Sequence, residues 1–168
     1  MKYSNLRFID TANGTGVRVS LFVSGCRNHC KGCFSPQTWN FEFGEDFTPI
    51  QENEIIEACK KSYIDGLTII GGDPFEKENQ LSLLSFIKKF KTECPDKTLW
   101  MYTGYILDKD LKRNQRQFIH GVTDRILSFV DVLVDGPFEE DKKDLTLQFR
   151  GSSNQRLLDK NQIEELSK

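Results

Sequence analysis

The sequence predicts an α/β fold built on a single, mostly parallel sheet, on three observations. Strand-like and helix-like segments alternate along the chain, the pattern of successive βαβ units joined by right-handed crossovers. The chain has 168 residues, 38% of them hydrophobic and thirteen of them Phe, enough for one domain over 1–168 with a real core. It is also too short for the eight repeats of a closed β/α barrel. An incomplete, partly open barrel or a small doubly wound sheet satisfies all three.

The elements follow in order. Residues 17–24, Val-Arg-Val-Ser-Leu-Phe-Val-Ser, are rich in β-branched and apolar side chains and read as a strand. Asn13-Gly14-Thr15-Gly16 before it is a turn signal, so residues 6–24 form a hairpin. Thr48-Pro49-Ile50-Gln51 opens a helix with an N-cap hydroxyl, a proline at the first helical position and a capping-box glutamine. Ile55, Cys59 and Tyr63, with Ile56 beside them, mark its apolar face, and Asp65-Gly66 stops it. Leu67–Ile70 is a short buried strand. A second helix spans 79–92 with Leu83, Phe86, Ile87 and Phe90 inward, and Pro95 lies just beyond it. Thr98–Thr103 is the next strand. Leu111–Ser128 is helical in pattern, with Phe118, Val122 and Ile126 aligned and Phe129 continuing the stripe, and Val130–Val134 is a further strand. Lys160–Lys168 reads as a short, exposed, charged helix without a functional signal.

Composition excludes several classes. Lys+Arg 23 against Asp+Glu 25 gives a net charge of −2, and the pI is 5.8. A nucleic-acid binder carries a basic stripe, which this balance argues against. Mean hydropathy is −0.49. No apolar run reaches the roughly 18 residues of a membrane span, and the first ten residues lack the apolar stretch of a secretory signal. A soluble, cytoplasmic protein is expected.

Five cysteines are distributed unevenly. Cys59 sits on a helix face with Ile55 and Cys94 at a helix end, both as small buried apolar residues. Cys26, Cys30 and Cys33 instead crowd into Gly25-Cys-Arg-Asn-His-Cys-Lys-Gly-Cys33, directly after the first clear strand. In a cytoplasmic protein, clustered thiols point to metal or redox chemistry rather than disulfides. Three thiolates do not complete a tetrahedral zinc site, and His29 would have to fold back beside Cys30 to supply the fourth ligand. On an iron–sulfur cube, which ordinarily takes four cysteines, three leave one iron open to a ligand.

The other strand ends are equally unusual. Gly71-Gly72-Asp73-Pro74 follows the second parallel strand, Thr103-Gly104-Tyr105 the third and Asp135-Gly136-Pro137 the fourth. In a parallel sheet these turns gather at one end, where ligands bind. Glycines at 71 and 72 let a ligand approach the backbone closely, and the carboxylate of Asp73 suits an ammonium.

The spacing Cys26-x₃-Cys30-x₂-Cys33 resembles the radical S-adenosylmethionine (SAM) superfamily, and Gly71-Gly-Asp-Pro74 resembles its glycine–glycine–acid–proline turn. Gly32 stands where many members carry an aromatic residue, with Phe34 following instead, and Asp73 stands where glutamate is usual. Within the superfamily, the chain resembles the activating proteins of anaerobic (class III) ribonucleoside-triphosphate reductases. The likeness runs through Leu21–Cys26, Gly32-Cys-Phe34, Gly71–Pro74, Tyr102-Thr-Gly-Tyr105, Val132–Gly136 and Arg150-Gly-Ser-Ser-Asn-Gln155. The resemblance implies a partial β/α barrel. It implies a 4Fe-4S cluster on Cys26, Cys30 and Cys33, with SAM chelating the open iron against Gly32, Cys33, Phe34, Gly71, Gly72 and Asp73. It implies reductive cleavage of SAM and transfer of the radical to a glycine in the reductase's C-terminal segment. A low-potential electron donor such as flavodoxin is the other implied partner.

Rival readings stay within the superfamily or leave it. They are a pyruvate formate-lyase-type activase, a 7-carboxy-7-deazaguanine synthase-like enzyme and a non-enzymatic zinc module. Thr103, Tyr105 and Asp135 read equally as site or turn residues, and Arg150–Gln155 equally as a recognition loop or a solvated one.

Overall fold

The computed structural model describes the whole chain, Met1–Lys168. Seven strands form one sheet in the order β3-β1-β2-β4-β5-β6-β7. They are β1 (Lys2–Asp10), β2 (Arg18–Val23), β3 (Glu45–Asp46), β4 (Gly66–Gly71), β5 (Thr98–Tyr102), β6 (Val132–Asp135) and β7 (Arg156–Asp159). β2, β4, β5 and β6 run parallel. β1, β3 and β7 are antiparallel flanks. The expected hairpin is β1–β2, and it begins earlier, at Lys2.

Helix α1 (Pro49–Cys59) starts as its sequence directs: Thr48 Oγ1 accepts from the Ile50 amide, and Gln51 completes the capping box. It ends at Cys59, before the expected third face residue. Tyr63 lies in the following turn and is exposed. Helix α2 (Lys77–Glu93) buries Leu83, Phe86, Ile87 and Phe90. Each such side chain contributes about 1.5–3 kcal/mol by leaving water.

The third helix departs from the expected span. α3 covers only Thr123–Phe129, preceded by a single wide π-type turn at Leu107–Leu111 and then turns. The breaks are Asn114 and Gly121, both at left-handed φ (69° and 75°). Thr123 then takes the Ile119 amide on its Oγ1 and donates to Gln80 Oε1 at 2.6 Å, restarting the helix on α2. The last helix, α4 (Lys160–Ser167), has an Asp159/Gln162 capping box and inserts Ile163 fully into the core, so it is packed rather than merely exposed.

Register sorts the strands into two faces. Val19, Leu21, Leu67, Ile69, Leu99, Met101 and Leu133 lie side by side and join the helices in one apolar core. On the other face, Phe22, Ile70, Tyr102 and Val134 form an upper row, and Ser20, Thr68, Trp100 and Val132 a lower one. Beneath them lies Arg18, wholly buried. Its guanidinium donates to Thr68 Oγ1, Thr98 Oγ1 and the carbonyls of Thr15, Leu67 and Thr98 at 2.8–3.2 Å. It also lies 5.4 Å from the centre of the Trp100 ring. Desolvation lowers its pKa to about 10. This end of the face is closed.

Candidate functional site

The opposite end is open. Above the upper row lies a cavity of about 580 Å³ whose walls include Cys26, Cys30, Cys33, Phe34, Gly71 and Gly72. The carboxyl ends of the parallel strands supply the cysteine loop, the Gly71-Gly72 turn and Thr103-Gly104 to one rim, as the strand-to-loop pattern requires. Cys59 and Cys94 lie elsewhere, buried in the helix-side core.

Beyond the one that opens the loop at Gly25 (φ 102°), the cysteine loop makes two reversals that turn three thiols to one wall. They fall at His29 and Gly32, with φ of 45° and 76°. Burial pushes the Cys26 thiol up to about 12, and burial likewise raises Cys30. The bare loop therefore holds protonated thiols at these two positions, and any metal taken up must displace their protons. Cys33 Sγ accepts from the Ser35 amide at 3.4 Å.

The Gly71-Gly72 turn is shaped by backbone contact. A Cβ on Gly71 (φ 116°) would stand 2.4 Å from the Val23 amide nitrogen and carbonyl oxygen. A Cβ on Gly72 would stand 2.6 Å from the Gly25 carbonyl oxygen and 2.9 Å from that of Thr38. Gly72 thus makes room for the cysteine loop itself, not only for a ligand, and its φ is not left-handed.

Asp73 turns away from the cavity. It is fully buried, and its carboxylate accepts from the Phe75 amide (2.9 Å), Thr103 Oγ1 (2.8 and 3.0 Å), the Gly104 amide (2.9 Å) and Asn28 Nδ2 (3.0 Å). Burial raises its pKa to about 7 against the pull of these donors. The carboxylate expected to face an ammonium instead ties the cysteine loop to two strand ends. Glu76 repeats the device: it accepts from the Arg27 amide (2.7 Å), Arg27 Nη1 (2.6 Å) and Tyr105 Oη (2.7 Å). Gly32 is also absent from the cavity wall, its open side facing Glu140. Phe34 does line the wall, two-thirds exposed, tilted against Phe138 at 5.2 Å.

Sequence reasoning missed Asn28, Trp39, Tyr102 and Phe138 as wall residues, although Tyr102 opened a run singled out above. Arg150–Gln155 is not a solvated loop. Gln155 accepts from the Gly151 and Ser152 amides and donates to the Gly136 carbonyl, which places Arg150, Gly151 and Gln155 on the wall. Asp135 is held in a bidentate pair with Arg156 and is structural.

The cavity suits an iron–sulfur cluster and an organic ligand. No three histidine, cysteine or acidic side chains close around one metal-ion position. A four-iron cluster gives each cysteine its own iron and asks instead for thiols spread along one wall. Tyr102 Oη and Arg150 Nε are buried without partners in residues that line this cavity, and buried polar groups left open need a ligand or water.

Residues 12–158 match the 4Fe-4S single cluster domain family. The anaerobic ribonucleoside-triphosphate reductase-activating protein of Pasteurella multocida is 45% identical over 159 residues, covering 92% of this chain and 95% of that one. The chain belongs to this activating-protein family. Relatives of the same name in Escherichia coli K12 (39% identical, 92% and 96% covered) and in phage T4 (38%, 94% and 93%) match over a similar extent. The activating-protein family thus includes members of nearly the same length as this chain, and the matched 4Fe-4S region spans the cysteine loop and every parallel strand. No helix is long and apolar enough to cross a membrane.

Proposed function

We propose that the chain is a radical SAM activase of anaerobic ribonucleoside-triphosphate reductase, folded as a partial β/α barrel. One observation carries the reading: three thiols of one loop line a single cavity beside the Gly71-Gly72 turn, in a chain of the activating-protein family. The four parallel strands follow one another across the sheet without reversal, and their core-facing side chains all meet the helices, which favours a barrel segment over a doubly wound sheet.

In this reading Cys26, Cys30 and Cys33 hold a 4Fe-4S cluster. A cluster held by these thiols would supply the one-electron reduction of the SAM sulfonium, whose cleavage would yield methionine and a 5′-deoxyadenosyl radical able to take a hydrogen atom from the reductase's target glycine. The chain's own residues bind, orient and shield. Gly71 and Gly72, which line the cavity, would present bare backbone to the methionine end of SAM, and Phe34 would offer a ring to the adenine. Cys33 serves as a cluster ligand on the same wall. Gly32 shapes the turn between Cys30 and Cys33. Asp73 acts from behind, holding Asn28 and Gly104 in place. Phe22, Ile70, Phe138, Leu147 and Phe149 give the cavity an apolar lining that keeps water from a reactive carbon. The rim is open, and the glycine-bearing segment of the partner closes it, bringing its Cα within about 3–3.5 Å of the reacting carbon. The electron comes from an external low-potential donor such as a flavodoxin, in the cytoplasm.

Anaerobic reconstitution with iron and sulfide tests the assignment. A brown protein whose reduced EPR signal changes on adding SAM is expected. A colourless zinc protein, or a cluster indifferent to SAM, refutes it.

A further inference from the structure

We propose that the stack of His29 on Trp39 is a clamp that governs how firmly the cysteine loop retains its cluster. The inference rests on the assignment of Cys26, Cys30 and Cys33 as cluster ligands.

Between its first and third cysteines the loop has two left-handed positions, and they are filled differently. Gly32 is the residue such a backbone favours. His29, at φ 45°, carries a Cβ into a conformation that L-residues resist. A strained residue persists where its surroundings over-determine it. His29 is exposed, and the contact that holds it is a stack: its imidazole lies 4.4 Å from the centre of Trp39 at an interplanar angle of 17°.

Trp39 is itself anchored. It ends the short turn Pro36–Trp39, and its carbonyl accepts from the Cys26 amide at 3.3 Å, while the Thr38 carbonyl accepts from Gly25 at 2.7 Å. The Ser35 carbonyl takes Thr38 Oγ1 at 2.7 Å, and the Ser35 amide donates to Cys33 Sγ. The first and third cysteines are therefore tied to this turn through hydrogen bonds. The middle arm, Asn28–Cys30, is held by Asn28 on Asp73 from one side and by the imidazole on Trp39 from the other. Trp39 also lines the cavity beside the thiols. The Cys30 carbonyl also accepts from the Cys33 amide at 3.1 Å, so loosening the stack slackens Asn28–Cys30 without releasing it outright.

His29 is thus a positioning residue, and glycine separates its two roles. His29→Gly accepts the left-handed backbone without strain but has no ring. The full chain and its variants are reconstituted anaerobically, and cluster loss to an iron chelator is followed by visible absorbance, beside the melting temperature of the apoprotein. The parent should retain its cluster. His29→Gly should melt no lower than the parent as apoprotein, yet bleach about two- to tenfold faster, the size of one aromatic stack. Trp39→Leu should bleach as fast. His29→Phe, which keeps a ring at the same backbone, should bleach at nearly the parental rate. Parental bleaching in His29→Gly, or fast bleaching in Trp39→Leu alone, overturns the clamp. A parent that takes up no cluster sinks the ligand assignment and the clamp with it.

Discussion

The two ends of the sheet's cavity-facing surface both bury polar groups, but they finish them differently. At the closed end Arg18 meets five acceptors, and every one of its N–H directions is engaged. At the open end two thiols are pushed toward protonation, and the Tyr102 hydroxyl and Arg150 Nε have no partner. A satisfied buried group is scaffold; an unpartnered one on a cavity wall has room for a ligand or water, whereas Ser20 Oγ, also unpartnered but in the closed lower row, does not. Asp73 and Glu76 sharpen the point. They stand next to the open end, yet each is saturated by donors, and so they belong with Arg18 as builders rather than with the thiols.

The largest test of this contrast is removal of a loop thiol. Cys26→Ala, Cys30→Ala and Cys33→Ala should each abolish cluster binding, read as iron and sulfide per chain. Cys59→Ser and Cys94→Ser should load fully and lose only about 1–3 kcal/mol in denaturant unfolding. A lost cluster in either of these would place a ligand in the core.

At the closed end, Arg18→Met should destabilise the fold by about 3 kcal/mol or more, since each buried acceptor left open costs about 1–3 kcal/mol. The SAM-induced EPR change per folded molecule should stay as in the parent. An altered response at unchanged stability would move Arg18 into the site.

Gly72→Ala lies on the boundary between the two kinds of region. Its new Cβ meets backbone of the cysteine loop at 2.6 Å, so strain of about 1–3 kcal/mol should fall on the loop. Cluster loading and SAM response should decline together. A loss of SAM response with full loading would mean that the ligand alone fills that space.

The last effect is a pH slope. Asp73 has its pKa raised from 3.8 to about 7. Its folded form binds a proton more readily than its unfolded form, so its contribution to stability is complete below about pH 4 and is lost as pH rises through about 7. Apoprotein stability measured against Asp73→Asn, which does not titrate, should show the penalty of the substitution shrinking from pH 5 to pH 8. A penalty that grows over that range contradicts the raised value.

Much of this was legible from residues. The alternation of strands and helices, the capping box at Thr48 and the cysteine loop all stand in the structure where local chemistry put them. The failures share a cause. The apolar period from Leu111 to Ser128 outweighed Asn114 and Gly121, whose left-handed backbone cuts the helix short. β7 went unread because four residues, with Leu158 inward and Leu157 outward, carry too little alternation to announce a strand. The direction of the Asp73 carboxylate was hidden for a different reason. Its donors come from positions 28, 75, 103 and 104, and only the fold brings them together.

The central claim is that the open end makes a radical and passes it to a protein. The most direct measurement is EPR of the reconstituted chain incubated anaerobically with SAM, a low-potential reductant and the anaerobic reductase. The account predicts a stable glycyl radical on the reductase, formed with consumption of one SAM per radical and absent when the target glycine is changed to Ala. SAM consumption that couples fully to a free small molecule, with no radical on the reductase, would contradict it.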